Sequence, residues 1–146
     1  MNDLTLIKGL ETDVEPCVQM NPEVFHIFLD DRRRDAIKHA LETGSFLVAL
    51  IDGKRAGYAI WEPDWFDSTF LKLVVVEKEF RRKGIASKLI LELANHHCPT
   101  GRLFSSTEAD NEPSIAMHKG IGFVDSGWID HLPQPHKEIF LFKNTK

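Results

Sequence analysis

The residues with the most chemistry in them lie between positions 74 and 87. An apolar run, Val74-Val75-Val76, passes through Glu77-Lys78-Glu79-Phe80 into Arg81-Arg82-Lys83-Gly84-Ile85-Ala86-Ser87. A buried strand handing over to a helix here places the helix's first N–H groups at the junction. Those amides have no partner inside the helix and carry partial positive charge, so the corner is an anion site. Gly84 removes the side chain where a phosphate would approach the backbone, and Ala86 keeps the next turn small. Lys78, Arg81, Arg82 and Lys83, set against Glu79, concentrate positive charge in a chain whose net charge is −4. Two commoner phosphate motifs are absent. There is no GxxxxGK[ST], and Gly120-Ile121-Gly122 is followed by Asp125 where a dinucleotide fingerprint needs glycine. Taken alone, the basic turn also fits a solvated strand-to-helix corner.

Other chemistry-bearing clusters read as structural. His96-His97-Cys98 has metal-ligand types, but adjacent helical residues point about 100° apart and cannot share an ion. No metal is expected, and the histidines fit the cation preference of a helix C-terminus. Arg32-Arg33-Arg34 is balanced by Asp30, Asp31 and Asp35 and reads as a solvated helix start. Cys17 and Cys98 are isolated, with no CxxC, which points to a reducing cytoplasm.

The elements that must position the basic turn follow from periodicity and breakers. Leu4 to Lys8 reads as a strand, and Thr12 to Met20 as a helix closed by Asn21-Pro22. A second helix is expected from Asp31 to Leu41, stopped by Thr43-Gly44. Ser45 to Ile51 and Arg55 to Trp61 form a hairpin about Asp52-Gly53. A loop is expected at Glu62-Pro63-Asp64, then a buried strand from Thr69 to Val76. The helix from Lys83 to His96 carries Ile85, Leu89, Ile90 and Leu93 on one face. Leu103 to Thr107 is a strand, Asn111 caps a short helix, and Phe123 to Ile129 and Glu138 to Phe142 close the chain as strands. The order β-α-α-β-β-β-α-β-α-β-β predicts a mixed, mostly antiparallel α/β sheet with helices on both faces.

Length and composition agree with this reading. The 146 residues are one domain's worth, 1–146, with 42% apolar and 27% charged residues. A net negative chain argues against nucleic acid as a partner. No apolar run approaches the roughly 18 residues of a membrane span, and Met1-Asn2-Asp3-Leu4 does not open a signal peptide.

Three features together resemble the GNAT superfamily of acetyl-CoA-dependent N-acetyltransferases. The first is Arg81-x-x-Gly84-x-Ala86 after an apolar strand. The second is Asn111-x-x-Ser114-x-x-Met117-His118-x-x-x-Gly122-Phe123, similar to the family's N-x-x-A-x-x-L-Y-x-x-x-G-F. The third is the element order. The resemblance implies that acetyl-CoA is the cosubstrate. The strand Val74, Val75, Val76 would hold the pantetheine arm through the backbone of Val74 and Val76. Arg81, Arg82, Lys83, Gly84, Ile85, Ala86 and Ser87 would form the pyrophosphate cradle, its amides running from Arg82 to Ser87. Asn111 would reach the cofactor near its thiol, cap its helix, or do both.

The chain also departs from the pattern. His118 stands where relatives keep the tyrosine that protonates the leaving thiolate, and imidazole can donate a proton in its place. Ser106 stands where some relatives keep a basic glutamate. Glu108, two residues on along the strand, is the replacement base expected here, with Glu62, Asp64, Asp67 or a water chain as rivals. Phe25, Trp61 and Trp65 are expected to wall an acceptor pocket suited to a cationic, partly apolar amine. The function implied is acetyl transfer by direct attack, with a backbone N–H of the fourth strand polarising the thioester. The acceptor would be a small-molecule primary amine or a peptide N-terminus, and a homodimer through the C-terminal strands fits the family. The rival readings are a CoA-binding sensor without turnover and a phosphate-binding protein unrelated to CoA.

Overall fold

The computed structural model describes residues 3–21 and 30–146. Strand β1 (Leu4–Lys8) leads through a 3-10 turn at Glu11–Asp13 into helix α1 (Val14–Val18). Helix α2 (Asp30–Thr43) precedes strands β2 (Phe46–Ile51), β3 (Lys54–Trp65) and β4 (Ser68–Val76). Helix α3 (Ile85–His96), β5 (Arg102–Glu108), α4 (Glu112–Gly120), β6 (Val124–Ile129) and β7 (Glu138–Asn144) complete the order the sequence predicts. The strands form one sheet, β1-β2-β3-β4-β5-β7-β6, antiparallel except where β4 meets β5. Helices cover both faces, as expected of this fold class.

Each face has its own core. On one, Ile85, Leu89, Ile90 and Leu93 of α3 pack on Ala59, Trp61, Leu71, Leu103 and Leu141. Leu89, Ile90 and Leu93 are fully buried, and each such side chain contributes about 1.5–3 kcal/mol. On the other, Val14, Val18 and Ile37 of α1 and α2 pack on Phe46, Val48, Tyr58 and Ile60. Arg33 corrects the expectation of a solvated helix start. It is 0% exposed, and its Nη1 donates to the carbonyls of Val18 at 2.6 Å and Met20 at 3.2 Å. It thereby satisfies carbonyls at the end of α1 that the helix cannot. Arg34 keeps to the surface, paired with Glu15 and Asp31.

Two irregularities of the β3–β4 hairpin decide what reaches the site. The expected loop at Glu62-Pro63-Asp64 is strand, and β3 runs on to Trp65. The turn falls on Phe66 and Asp67, both left-handed at φ 52° and 56°, where neither glycine nor asparagine signals it. Pro63 is tolerated because the ladder is interrupted between Glu62 and Trp65, so its missing N–H costs no bond. Further along, Ile60 opposes Leu73 while Trp61 opposes Leu71. Lys72 therefore has no register partner on β3, and β4 carries a bulge there.

Candidate active site

Strands β4 and β5 pair at only two positions, Thr69 with Leu103 and Phe70 with Phe104. Beyond them β5 continues to Glu108 beside β7, and β4 continues to Val76 beside β3. The two strands thus form a fork, and beyond its vertex the facing edges no longer pair with each other. Which residues turn their main-chain groups to the fork follows from the alternation of an antiparallel ladder. The Glu77 N–H donates to the Ala56 carbonyl on β3 at 2.8 Å, so Glu77 and Val75 direct their groups to β3. Those of Val74 and Val76 face the fork. In agreement, the Val76 carbonyl accepts from Asn21 Nδ2 at 2.5 Å and Arg81 Nε at 3.2 Å.

An open cleft of about 490 Å³ runs along this edge. Val74, Val75, Val76, Arg81, Arg82, Gly84, Ile85, Ala86, Ser87 and Asn111 all line it. Lys83 does not, and is exposed. The cleft also takes in Asn21, Phe80, Pro113, Ser114 and Met117. Ser114 and Met117 belong to the motif that begins at Asn111 and could have been drawn from it, whereas Asn21 carries no signal in sequence.

The basic turn is shaped for an anion. Gly84 precedes α3 at φ 74°, a conformation that favours glycine, and Arg82 is also left-handed at φ 63°. Among the described residues no side chain caps α3, so its first amides have no side-chain acceptor. A Cβ built on Gly84 would meet no protein atom within 4 Å and would project into open space. Amides with no side-chain cap, open space above a glycine and two arginines fit the pyrophosphate of a CoA, and the fork-facing main chain of Val74 and the Val76 N–H fit its pantetheine arm, the Val76 carbonyl being held by Asn21 and Arg81. Asn111 caps its helix, as expected, and lines the cleft. Its Oδ1 accepts from the Ser114 N–H at 3.2 Å.

His118 is not placed as expected. It is 2% exposed and does not line the cleft. Its Nδ1 lies 2.8 Å from the Ser114 carbonyl, which can only accept, so Nδ1 carries the proton. Nε2 then accepts from the Ser105 hydroxyl at 2.7 Å. The ring stands edge-on to Phe123 with centroids 4.9 Å apart. Burial lowers its pKa below 6.5, holding it neutral. This geometry makes His118 a neutral staple between α4 and β5, with no ring nitrogen left for a thiolate. Tyr58 does not fill the gap, because it is fully buried in the α1–α2 core, edge-on to Phe46.

The remaining expected residues separate. Trp61 is corrected from pocket wall to core: it is 3% exposed, packs in the α3 layer and lies 5.1 Å from the His97 ring. Trp65 reaches the opposite face, stacked on Phe70 at 4.8 Å. Phe25, and with it the expected contribution of the loop between the first two helices, lies outside the described residues. Glu108 shares a face with Ser106, as alternation along β5 predicts, but is drawn toward Asp110 and His136, the ligand-type atoms of all three lying within 4.8 Å. Ser106 is hydrogen-bonded to Glu138 of β7 at 2.7 Å.

No helix of the described residues is long and apolar enough to cross a membrane. No curated protein matches the chain. Among solved structures, a GNAT-family acetyltransferase from Bacillus cereus ATCC 10987 superposes with a TM-score of 0.87 at 30% identity, covering 97% of each chain. The fold is shared with yncA from Salmonella typhimurium, solved with its cofactor acetyl-CoA (TM-score 0.80, 19% identity, 99% of this chain and 95% of that one). It is shared too with the ribosomal-protein-S18-alanine N-acetyltransferase of Escherichia coli (TM-score 0.78, 18% identity, 99% and 95%). The family profile described as Acetyltransferase (GNAT) matches residues 13–123. With fork, cleft and glycine turn all inside that span, the chain belongs to the GNAT family of acetyltransferases.

Proposed function

We propose that residues 1–146 act as one domain that transfers an acetyl group from acetyl-CoA to a primary amine, by direct attack while both substrates are bound. The observation that carries this reading is the fork. It leaves the main chain of Val74 and the Val76 N–H facing a cleft that the start of α3, which no side chain caps, also lines. Acetyl-CoA supplies the activated acyl carbon. Arg81 and Arg82 and the amides after Gly84 bind its pyrophosphate. The β4 edge orders the pantetheine as an added strand would, which directs the thioester toward the vertex near Leu71 and Lys72. The bulge leaves Lys72 without a register partner on β3, so a backbone N–H there is the donor proposed to polarise the thioester oxygen.

The harder proton problem is the amine's. An alkyl ammonium holds its proton to about pH 10.4, whereas a thiol ionises near 8.5. The thiolate therefore leaves readily without a strong acid beside it, which accommodates a sequestered His118. The isolated cysteines suit a cytoplasmic setting, and both are free.

Mixing the protein with acetyl-CoA and a panel of primary amines, and reading free thiol, tests the reading. Amine-dependent thiol release supports it. Acetyl-CoA binding by calorimetry without release by any amine moves the chain to the second reading, a CoA-binding module, which the sequestration of His118 favours. Absence of any binding removes both.

A further inference from the structure

We propose that Glu138 receives the acceptor amine and shuttles its proton, and that the acceptor carries an aromatic or other flat apolar group. This rests on the acetyl-transfer reading above. Alternation places Phe104, Ser106 and Glu108 on one face of β5, away from Leu103, Ser105 and Thr107, which are buried. β7 is paired so that Phe142 lies opposite Phe104, Phe140 opposite Ser106 and Glu138 opposite Glu108. Cross-strand partners share a face, so Glu138, Phe140 and Phe142 stand beside Ser106.

Glu138 is held by two neutral donors. Its Oε2 accepts from the Ser106 hydroxyl at 2.7 Å and its Oε1 from Gln134 Nε2 at 3.2 Å. These bonds orient the carboxylate without neutralising it. Its position matters as much. Ser106 is the second residue beyond Phe104, where β5 leaves β4, and the Lys72 bulge is the second beyond Phe70 on the other prong. The two stand at matching depths past the vertex, where a thioester led along Val76 and Val74 must arrive. The chain lacks a glutamate at position 106, and the β7 strand supplies a carboxylate to that point instead.

The apolar half of the site lies on the same face. Phe140 is parallel to Trp65 within 5°, centroids 6.2 Å apart, and is 6.0 Å from Phe70. Trp65 is 5.3 Å from Phe104, which is 5.0 Å from Phe142. These five rings belong to neither buried core and are all half-buried. Such a surface ending in a carboxylate selects a cation on a flat apolar body. Glu108 adds negative charge beside it.

The steps balance as follows. The acceptor docks as an ammonium against Glu138 and loses one proton to solvent. Its free amine attacks the acyl carbon, forming the C–N bond, and the nitrogen becomes acidic as it does so. Glu138 takes one N–H proton, the C–S bond breaks, and Glu138 passes that proton to the departing thiolate. Amide and CoA thiol leave, and the carboxylate is restored.

The test measures thiol release with 2-phenylethylamine and with ethanolamine, and acetyl-CoA affinity by calorimetry, for the parent, Glu138→Gln, Ser106→Ala, Ser106→Thr and Phe140→Leu. The parent is expected to prefer phenylethylamine in kcat/KM. Glu138→Gln, which keeps the shape and an acceptor for Ser106, is expected to lower kcat by about 10²–10⁴-fold with acetyl-CoA affinity unchanged. Ser106 is a positioning residue, so Ser106→Ala lowers kcat and Ser106→Thr restores it. Phe140→Leu raises KM for phenylethylamine and leaves that for ethanolamine. Parent-like turnover by Glu138→Gln overturns the assignment of the base while acetyl transfer stands. Preference for ethanolamine, or acetyl-CoA binding with no turnover of either amine, overturns the acceptor class. A parent that does not bind acetyl-CoA fails the underlying reading instead.

Discussion

On the cleft side of the β4–β5 fork, the groups offered to a ligand are mostly main-chain: the edge of Val74 and Val76, the amides that follow Gly84, and the open space above that glycine. On the opposite sheet face they are side chains gathered from separate strands: Trp65 of β3, Phe70 of β4, Phe104 and Ser106 of β5, and Glu138 and Phe140 of β7. A main-chain site tolerates many side chains but depends on conformation, so it concentrates its demands on a glycine and a helix start. A side-chain site places no demand on the backbone beyond strand register. It can change its ligand by substitution alone, which suits the acceptor half-site proposed above.

The sharpest way to break this contrast is at Gly84. Gly84→Val puts a β-branched residue at φ 74° and fills the space above the amides. Acetyl-CoA affinity is expected to fall by about tenfold or more, or 1.4 kcal/mol. The KM for phenylethylamine at saturating acetyl-CoA should hold, since the aromatic face is untouched. Unchanged calorimetric affinity for acetyl-CoA would sink the cradle. Next in size is stabilisation of the parent by its cosubstrate. At about 100 times its dissociation constant acetyl-CoA should add roughly 2.7 kcal/mol, a rise of about 5–10 °C in Tm. Phenylethylamine alone should move Tm far less. A melting curve indifferent to acetyl-CoA contradicts the cleft assignment.

The same contrast explains what could be read in the sequence. The basic turn, the Asn111 motif and the element order are local patterns, and Arg81, Gly84 and Asn111 all line the same cleft. The hairpin ends differ from the expected ones because Phe66 and Asp67 make a left-handed turn without turn residues. Trp61 and Trp65 are four residues apart and would share a face in a regular strand. The interruption between Glu62 and Trp65 breaks that parity, sending Trp61 under α3 and Trp65 to the aromatic face. Glu138 lies 32 residues from Ser106, and only the β5–β7 register brings them together. Its one sequence signal is the alternation Glu138, Phe140, Phe142, which marks a face without saying which neighbour it meets. Arg33 is buried against the expectation because charge balance along a helix does not reveal which residue turns inward.

His118 sharpens the comparison by what it should fail to do. A thiolate acid would cost about 10²–10⁴-fold in kcat on removal. A staple between Ser105 and the Ser114 carbonyl costs stability instead, about 1–3 kcal/mol for the groups left unpaired. His118→Ala is therefore expected to lower the urea midpoint while kcat on a verified amine stays within a few-fold of the parent. A large kcat loss at unchanged stability reverses the assignment.

The smallest effect expected is the pH dependence of that staple. In the unfolded chain His118 titrates near 6.5, and in the fold burial holds its pKa lower. Between those two values the unfolded chain binds the proton and the folded chain does not, so unfolding takes up a proton there. Stability then rises with pH across the window. His118's contribution is fully present above about pH 6.5 and drains away as pH falls, until the folded ring also protonates. The slope from one group is at most about 1.4 kcal/mol per pH unit. His97, whose pKa burial also lowers, adds the same sign, so the parent alone does not isolate the effect. The difference between parent and His118→Asn does. Urea midpoints taken at pH 8, 6.5 and 5.5 should converge toward acid, because the variant has no buried imidazole to charge. Parallel midpoint curves would mean that the ring protonates as readily folded as unfolded. It would then be accessible from the cleft after all, and the thiolate-acid role would return to it.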